Sequence, residues 1–214
     1  MLFSLRSYSR EMTRALPLQL RFKRHIFLSM PTELTRRQRK VVDSLYKELN
    51  RRRLFARTVG VTDFGGKSPL TQVKRSMEKC HGALILGLVQ GRSRIGSNKT
   101  ETKKGIPLPD SPSPTPWNQL EAGIAYAMGL PMMIVKEPGI SGGVFDIGAA
   151  GDQFVHALEV TNSRTWRSDE LKSSLDEWRD EVVQHARATR PKSKSTHARK
   201  ADGRGRKSAN SRRM

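Results

Sequence analysis

Residues 83–89 read Ala83-Leu84-Ile85-Leu86-Gly87-Leu88-Val89. The run is apolar at even and odd positions alike, whereas a strand with one wet face alternates polar and apolar residues. Such a strand suits the middle of a parallel sheet covered by helices on both sides. Upstream, His25-Ile26-Phe27-Leu28-Ser29 before Met30-Pro31 predicts a first buried strand that ends in a loop. Val41, Val42, Leu45, Tyr46 and Leu49 recur at helical spacing through a basic stretch, which predicts an amphipathic helix of about four turns. Leu54 to Val59 is β-prone and stops at Gly60, and Leu70, Val73 and Met77 mark a second helix.

Downstream of the central run, residues 91–116 hold five prolines and three glycines without periodicity, which predicts a long loop serving as a lid or a disordered insertion. Helical spacing returns through Trp117, Leu120, Ile124 and Ala127, with Gly129 as C-cap and Pro131 just beyond. Met132 to Val135 predicts another buried strand and Val155 to Val160 a last one. A final helix is expected from an N-cap at Ser168, with Leu171, Leu175, Trp178 and Val182 on one face. Strands alternating with helices predict an α/β domain with a mostly parallel sheet, whose ligands bind outside the carboxyl ends of the strands.

Charge divides the chain into three parts. It has 214 residues with 40 Lys and Arg against 20 Asp and Glu, a formal net charge of +20. Residues 1–24 carry six basic side chains and one acid, and residues 185–214 carry eleven and one, so the middle is only mildly basic. The expected organisation is a basic N-terminal extension over 1–24, an α/β domain over 25–185 and a disordered basic tail over 186–214. The first segment reads either as an organellar transit peptide or as an unstructured extension or start assigned too far upstream. The tail has no interleaved aromatic residue, so it is expected to contact nucleic acid through phosphates and without sequence preference.

One cysteine, Cys80, excludes an intramolecular disulfide and a multi-thiolate zinc site and fits a reducing compartment. No apolar run approaches the roughly 18–20 residues that would span a bilayer, so no membrane partner is expected and the cytoplasm is the expected location. The histidines show no metal-ligand spacing, and neither a Gly-x-Ser-x-Gly elbow nor a Gly-x-Gly-x-x-Gly fingerprint occurs.

Glu121 is the candidate for chemistry. It falls one turn after Trp117 on a helix leaving the ligand side of the sheet, so an acid and an aromatic share a face. A carboxylate there can attack an anomeric carbon or stabilise an oxocarbenium-like transition state while the aromatic packs on base or ribose. On spacing alone the commoner reading is that it complements the positive end of the helix while Trp117 packs.

Thr115-Pro116-Trp117-Asn118-Gln119-Leu120-Glu121-Ala122 resembles the Ser-x-Trp-Cys-x-x-Glu-Leu segment of TIR domains, with Asn118 in place of the cysteine, and Ile26-Phe27-Leu28-Ser29 resembles the strand that opens them. Glu121-Ala122-Gly123-Ile124-Ala125-Tyr126-Ala127-Met128-Gly129-Leu130-Pro131 resembles the Glu-x-Gly-x-Ala-x-x-x-Gly-Lys-Pro segment of nucleoside 2-deoxyribosyltransferases. The resemblance implies a flavodoxin-like, TIR-like sheet of about five strands with helices on both faces. It implies Glu121 as the catalytic residue at an N-glycosidic bond. The expected activity is that of an NAD+ glycohydrolase, with NAD+ as substrate and no required cofactor. The alternatives are a nucleoside deoxyribosyltransferase and a nucleotide-sensing or assembly module without catalysis. Activation by self-association or by a partner protein is implied as well.

Substrate contacts are expected from the loops at the same end of the sheet. These are Phe27, Ser29 and Met30 at the close of the first strand, and Gly65, Gly66 and Ser68 in a basic loop. Trp117 and Asn118 are expected beside Glu121, with Phe145 as a wall.

Overall fold

A computed structural model of the chain describes residues 24–60, 68–93, 96–98, 106–108, 111–146, 148 and 154–190. In chain order the elements open with β1 (Arg24–Ser29), α1 (Arg36–Arg51), β2 (Leu54–Arg57), α2 (Pro69–Met77) and β3 (Ala83–Gly87). There follow β4 (Gly91–Ser93), β5 (Gly96–Asn98), β6 (Ile106–Leu108), β7 (Ser111–Ser113) and α3 (Pro116–Ala127). The last are β8 (Met132–Lys136), β9 (Val155–Ala157) and α4 (Asp169–Ala188). Five strands form one sheet in the order β2-β1-β3-β8-β9, and every pairing in it is parallel. This is the flavodoxin-like arrangement, in which strand order reverses between β1 and β3 and opens a crevice at their carboxyl ends.

Both faces of β3 are covered, as its unbroken apolar run requires. On one side Leu84, Leu86 and Leu88 join Ile26, Leu28, Met133 and Val135 under α1 (Val41, Leu45, Leu49) and α4 (Leu171, Leu175, Trp178, Val182). On the other, Ala83 and Ile85 join Phe27, Met132 and Ile134 under α2 (Val73, Met77) and α3 (Ala122, Ala125). The indoles that enter the first layer keep their N–H groups paired: Trp166 Nε1 donates to Val41 O at 3.0 Å and Trp178 Nε1 to Pro131 O at 3.1 Å.

Local signals fix the helix ends. Thr35 caps α1 in a reciprocal capping box with Gln38, and Ser168 accepts from Leu171 N at the start of α4. Gly129 follows α3 at φ +65°, the left-handed conformation that ends a helix.

Three boundaries differ from the sequence reading. The segment after β3 is not one irregular loop: β4 pairs antiparallel with β7, and β5 with β6. Pro112 and Pro107 sit inside these ladders opposite Arg92 and Ser97, which two-stranded ribbons tolerate because each strand has a free edge. The last helix runs through Ala188, so ordered structure passes the expected domain end at 185. The first strand starts at Arg24, inside the expected extension. The rest of the proposed N-terminal extension and residues 191–214 of the tail lie outside the described residues.

Phe145 is fully buried, and a Cβ built on Gly87 would lie 2.6 Å from its Cε1 and 2.8 Å from its Cζ. Gly87→Ala is therefore expected to force the ring or the strand aside and to lower unfolding free energy by about 1–3 kcal/mol in a chemical denaturation series.

Candidate functional site

The crevice between β1 and β3 holds a cavity of about 460 Å³. Met30, Pro31, Thr32 and Glu33 enter it from the loop after β1, Val59 from beyond β2, and Gln90 from beyond β3. Pro69 and Val73 come from α2, and Thr115, Trp117 and Glu121 from α3. A hollow of about 540 Å³ lies at the opposite end of the strands, lined by Tyr126, Leu130, Glu181 and His185 among others. It faces the amino ends of the strands, away from the side where open α/β sheets take ligands.

Helix α3 delivers the central pair. Its N-cap Thr115 accepts from Trp117 N at 3.2 Å, and Pro116 follows at the first helical position. Trp117 stays 40% exposed while Glu121, one turn on, is 9% exposed, so the indole stands at the rim and the carboxyl below it. Burial pushes the Glu121 carboxyl up to about 7, against the opposing pull of a hydrogen bond from the Ser29 side chain.

Beneath Glu121 the polar groups form a chain. Asn118 is fully buried, and its Nδ2 donates to Ser29 Oγ at 2.7 Å and to Leu86 O at 3.4 Å. A backbone carbonyl only accepts, so Leu86 fixes which way the amide is turned. Asn118 Oδ1 is left buried without a protein partner, at a cost of about 1–3 kcal/mol.

The two other buried acids among the described residues are engaged by donors. Glu48 is buried too, yet hydrogen bonds from Arg167 and Arg52 and the charges of Arg51 and Arg52 outweigh its desolvation and hold its carboxyl below the usual range. Glu137, just past β8, accepts from Gln38 Nε2 at 2.6 Å and from Val89 N at 3.0 Å. Gln38 also donates to Val89 O at 3.0 Å, so this cluster ties the start of α1 to the ends of β3 and β8. Gln119 does similar work on the loop after β8, donating to Gly142 O at 3.0 Å and accepting from Val144 N at 2.9 Å.

Of the expected site residues, Met30, Trp117 and Glu121 meet in the cavity. Ser29 and Asn118 are buried, bonded to each other, and do not line it. Phe27 and Phe145 do not reach it: both are fully buried in the layer between the sheet and helices α2 and α3. Strand alternation is the reason for Phe27, since it points to the face opposite Ile26 and Leu28. Ser68 is exposed at the start of α2, its Oγ 2.8 Å from Thr71 Oγ1. Gly65 and Gly66 lie outside the described residues. The sequence reading missed Val59, Gln90, Thr115 and Glu33 as lining residues; their positions just after strands or before a helix were the available signal. No protein-family model and no curated protein sequence matches the chain.

A carboxyl whose folded value stands near 7 and whose unfolded value is near 4.5 adds stability below about pH 4.5 that is lost as pH rises through 7. Glu121→Gln, which cannot ionise, is expected to be more stable than the wild type at pH 8 by about 3 kcal/mol. That advantage should vanish as pH falls towards 4.5, read by urea unfolding at each pH.

Proposed function

We propose that the chain breaks or exchanges the N-glycosidic bond of a nucleoside or nucleotide, with Glu121 acting at the anomeric carbon and NAD+ as the leading substrate. The observation that carries this reading is the buried Glu121 carboxyl at the crevice, with the half-exposed Trp117 one helical turn away. As the C1′–N bond breaks, its electron pair leaves with the base. Ionised Glu121 then either stabilises the cationic sugar or forms an ester with it, and water or a second base completes the transfer. Nicotinamide leaves NAD+ as a neutral base and needs no proton, which suits a site where, among the described residues, Glu121 is the one buried acid lining the cavity and Glu33 stands exposed in the loop after β1.

Trp117 offers a flat apolar surface for the base or ribose, and the surrounding Met30, Pro31, Val59 and Val73 exclude water from the developing cation. The reading extends to activity in the cytoplasm, switched on by self-association or by a partner, and to a basic tail that adds sequence-blind contact with nucleic acid.

Concentrated protein incubated with NAD+ and, separately, with 2′-deoxynucleosides tests it, with free base read by chromatography. Wild type should release base from NAD+. Glu121→Gln should lose at least about two orders of magnitude while remaining folded, and Trp117→Ala should lose less. Equal rates in wild type and the glutamine variant would rule the mechanism out. Nucleotide binding without turnover in both would instead favour the sensing module.

A further inference from the structure

We propose that the groove between helix α4 and the sheet edge at β8 and β9 is the docking site of the chain's own basic tail, residues 191–214. The inference is independent of the chemistry assigned to Glu121. Two hollows make up the groove. The one of about 540 Å³ at the amino ends of the strands has Tyr126, Leu130 and Ala188 in its walls, and a second, of about 480 Å³, is lined by Met133, Phe154 and Trp178 among others. Met132 and Glu181 line both, so the two join along α4.

Helix α4 turns one stripe of side chains to the groove. Glu170, Ser174, Glu177 and Glu181 follow one another at spacings of four, three and four residues, a single helical face. Glu170 Oε1 is 3.4 Å from His156 Nδ1. No donor or cation among the described residues engages the side chains of Glu177 and Glu181, and the neighbouring Arg179 is given to Asp180 at 3.0 Å. Desolvation and then the like charge of Glu177 push the Glu181 carboxyl up, a repulsion that a cation laid between them relieves. Each hollow also has an open aromatic face, since Tyr126 is 64% exposed and Phe154 59%. A ring beside carboxylates takes a guanidinium by cation–π and ionic attraction together, and long cationic side chains cover an apolar floor with their stems.

Charge and place identify the occupant. Residues 191–214 carry nine Lys and Arg against one acid, Asp202. Ala188 lines the first hollow and Arg190 is the last described residue, so the tail leaves α4 at the mouth of the groove. From Ala188 back to Glu170 is about 27 Å at 1.5 Å per helical residue, a span that about eight extended residues cover. The tail is three times that long, so it reaches the far end of the groove. A docked tail keeps its cations from phosphates, and the groove and nucleic acid therefore compete for the same segment.

Carbodiimide coupling, which joins a lysine amine to a carboxylate in contact with it, tests this on the full-length chain at low salt. An equal mixture of ¹⁴N- and ¹⁵N-labelled chains separates bridges within one chain from bridges between two. Lys192, Lys194, Lys200 or Lys207 should be joined to Glu170, Glu177 or Glu181 of the same chain, in a yield that falls as salt rises. In full-length protein, the combined variant Glu170→Gln, Glu177→Gln, Glu181→Gln should bind duplex DNA about three- to tenfold more tightly than the charge-matched Asp43→Asn, Glu78→Gln, Glu159→Gln, because the freed tail is competent all of the time.

Bridges found only between differently labelled chains would make the groove a contact between copies and overturn the proposal. Bridges from Lys23 in place of the tail lysines would assign the groove to the amino-terminal segment and overturn it too. So would bridges spread evenly over acids of the other helices, an absence of bridges, or a groove variant that binds DNA no more tightly than its charge-matched control.

Discussion

The site depends on a strand that has no wet face. Because β3 is apolar on both sides, the fold must place it between two layers of helices, with a parallel neighbour on each edge. Chain connectivity then decides the rest. The crossover from β1 through α1 goes out to β2, and the next crossover returns past β1 to β3, so the connections diverge at the carboxyl ends of β1 and β3. The crevice is the geometric consequence of that divergence, and α3 enters it because it precedes the next parallel strand, β8.

What separates this crevice from an ordinary gap between helices is how its acid is treated. Glu48 and Glu137 are buried acids with cations or several donors around them, and they bind elements together. Glu121 is buried in the crevice beside Met30, Val59 and Val73, and burial raises its carboxyl. Together with the half-satisfied Asn118, it makes this corner locally unfavourable to the fold. Natural sequences concentrate such conflicts where chemistry needs them, because a desolvated carboxyl interacts with a nearby cation far more strongly than one in water.

Much of the architecture was legible in the residues themselves. The double-faced run at 83–89, the helical spacing of α1 and α4 and the Ser168 cap each encode a local structure that tertiary packing then reinforces. The paired ribbons between β3 and α3 were not legible, since three-residue strands rich in proline carry no period to read. At the site, the helix position of Glu121 beside Trp117 was visible, but the directions of other side chains were not. Phe27 was expected at the ligand end of β1, but its side chain lies in the core and its N–H is bonded to Gly82 O. The bond between Asn118 and Ser29 spans 89 residues of sequence and exists only once β1 and α3 are packed together.

The central claim is that the ionised form of Glu121 does the chemistry, and the pH dependence of base release by the wild-type chain tests it most directly. Measured as kcat/KM for NAD+ between about pH 5 and 9, the rate should rise along a single limb with its midpoint near 7, where burial sets the Glu121 carboxyl. A rate that is flat across this range, or that falls as the carboxyl ionises, would contradict the account.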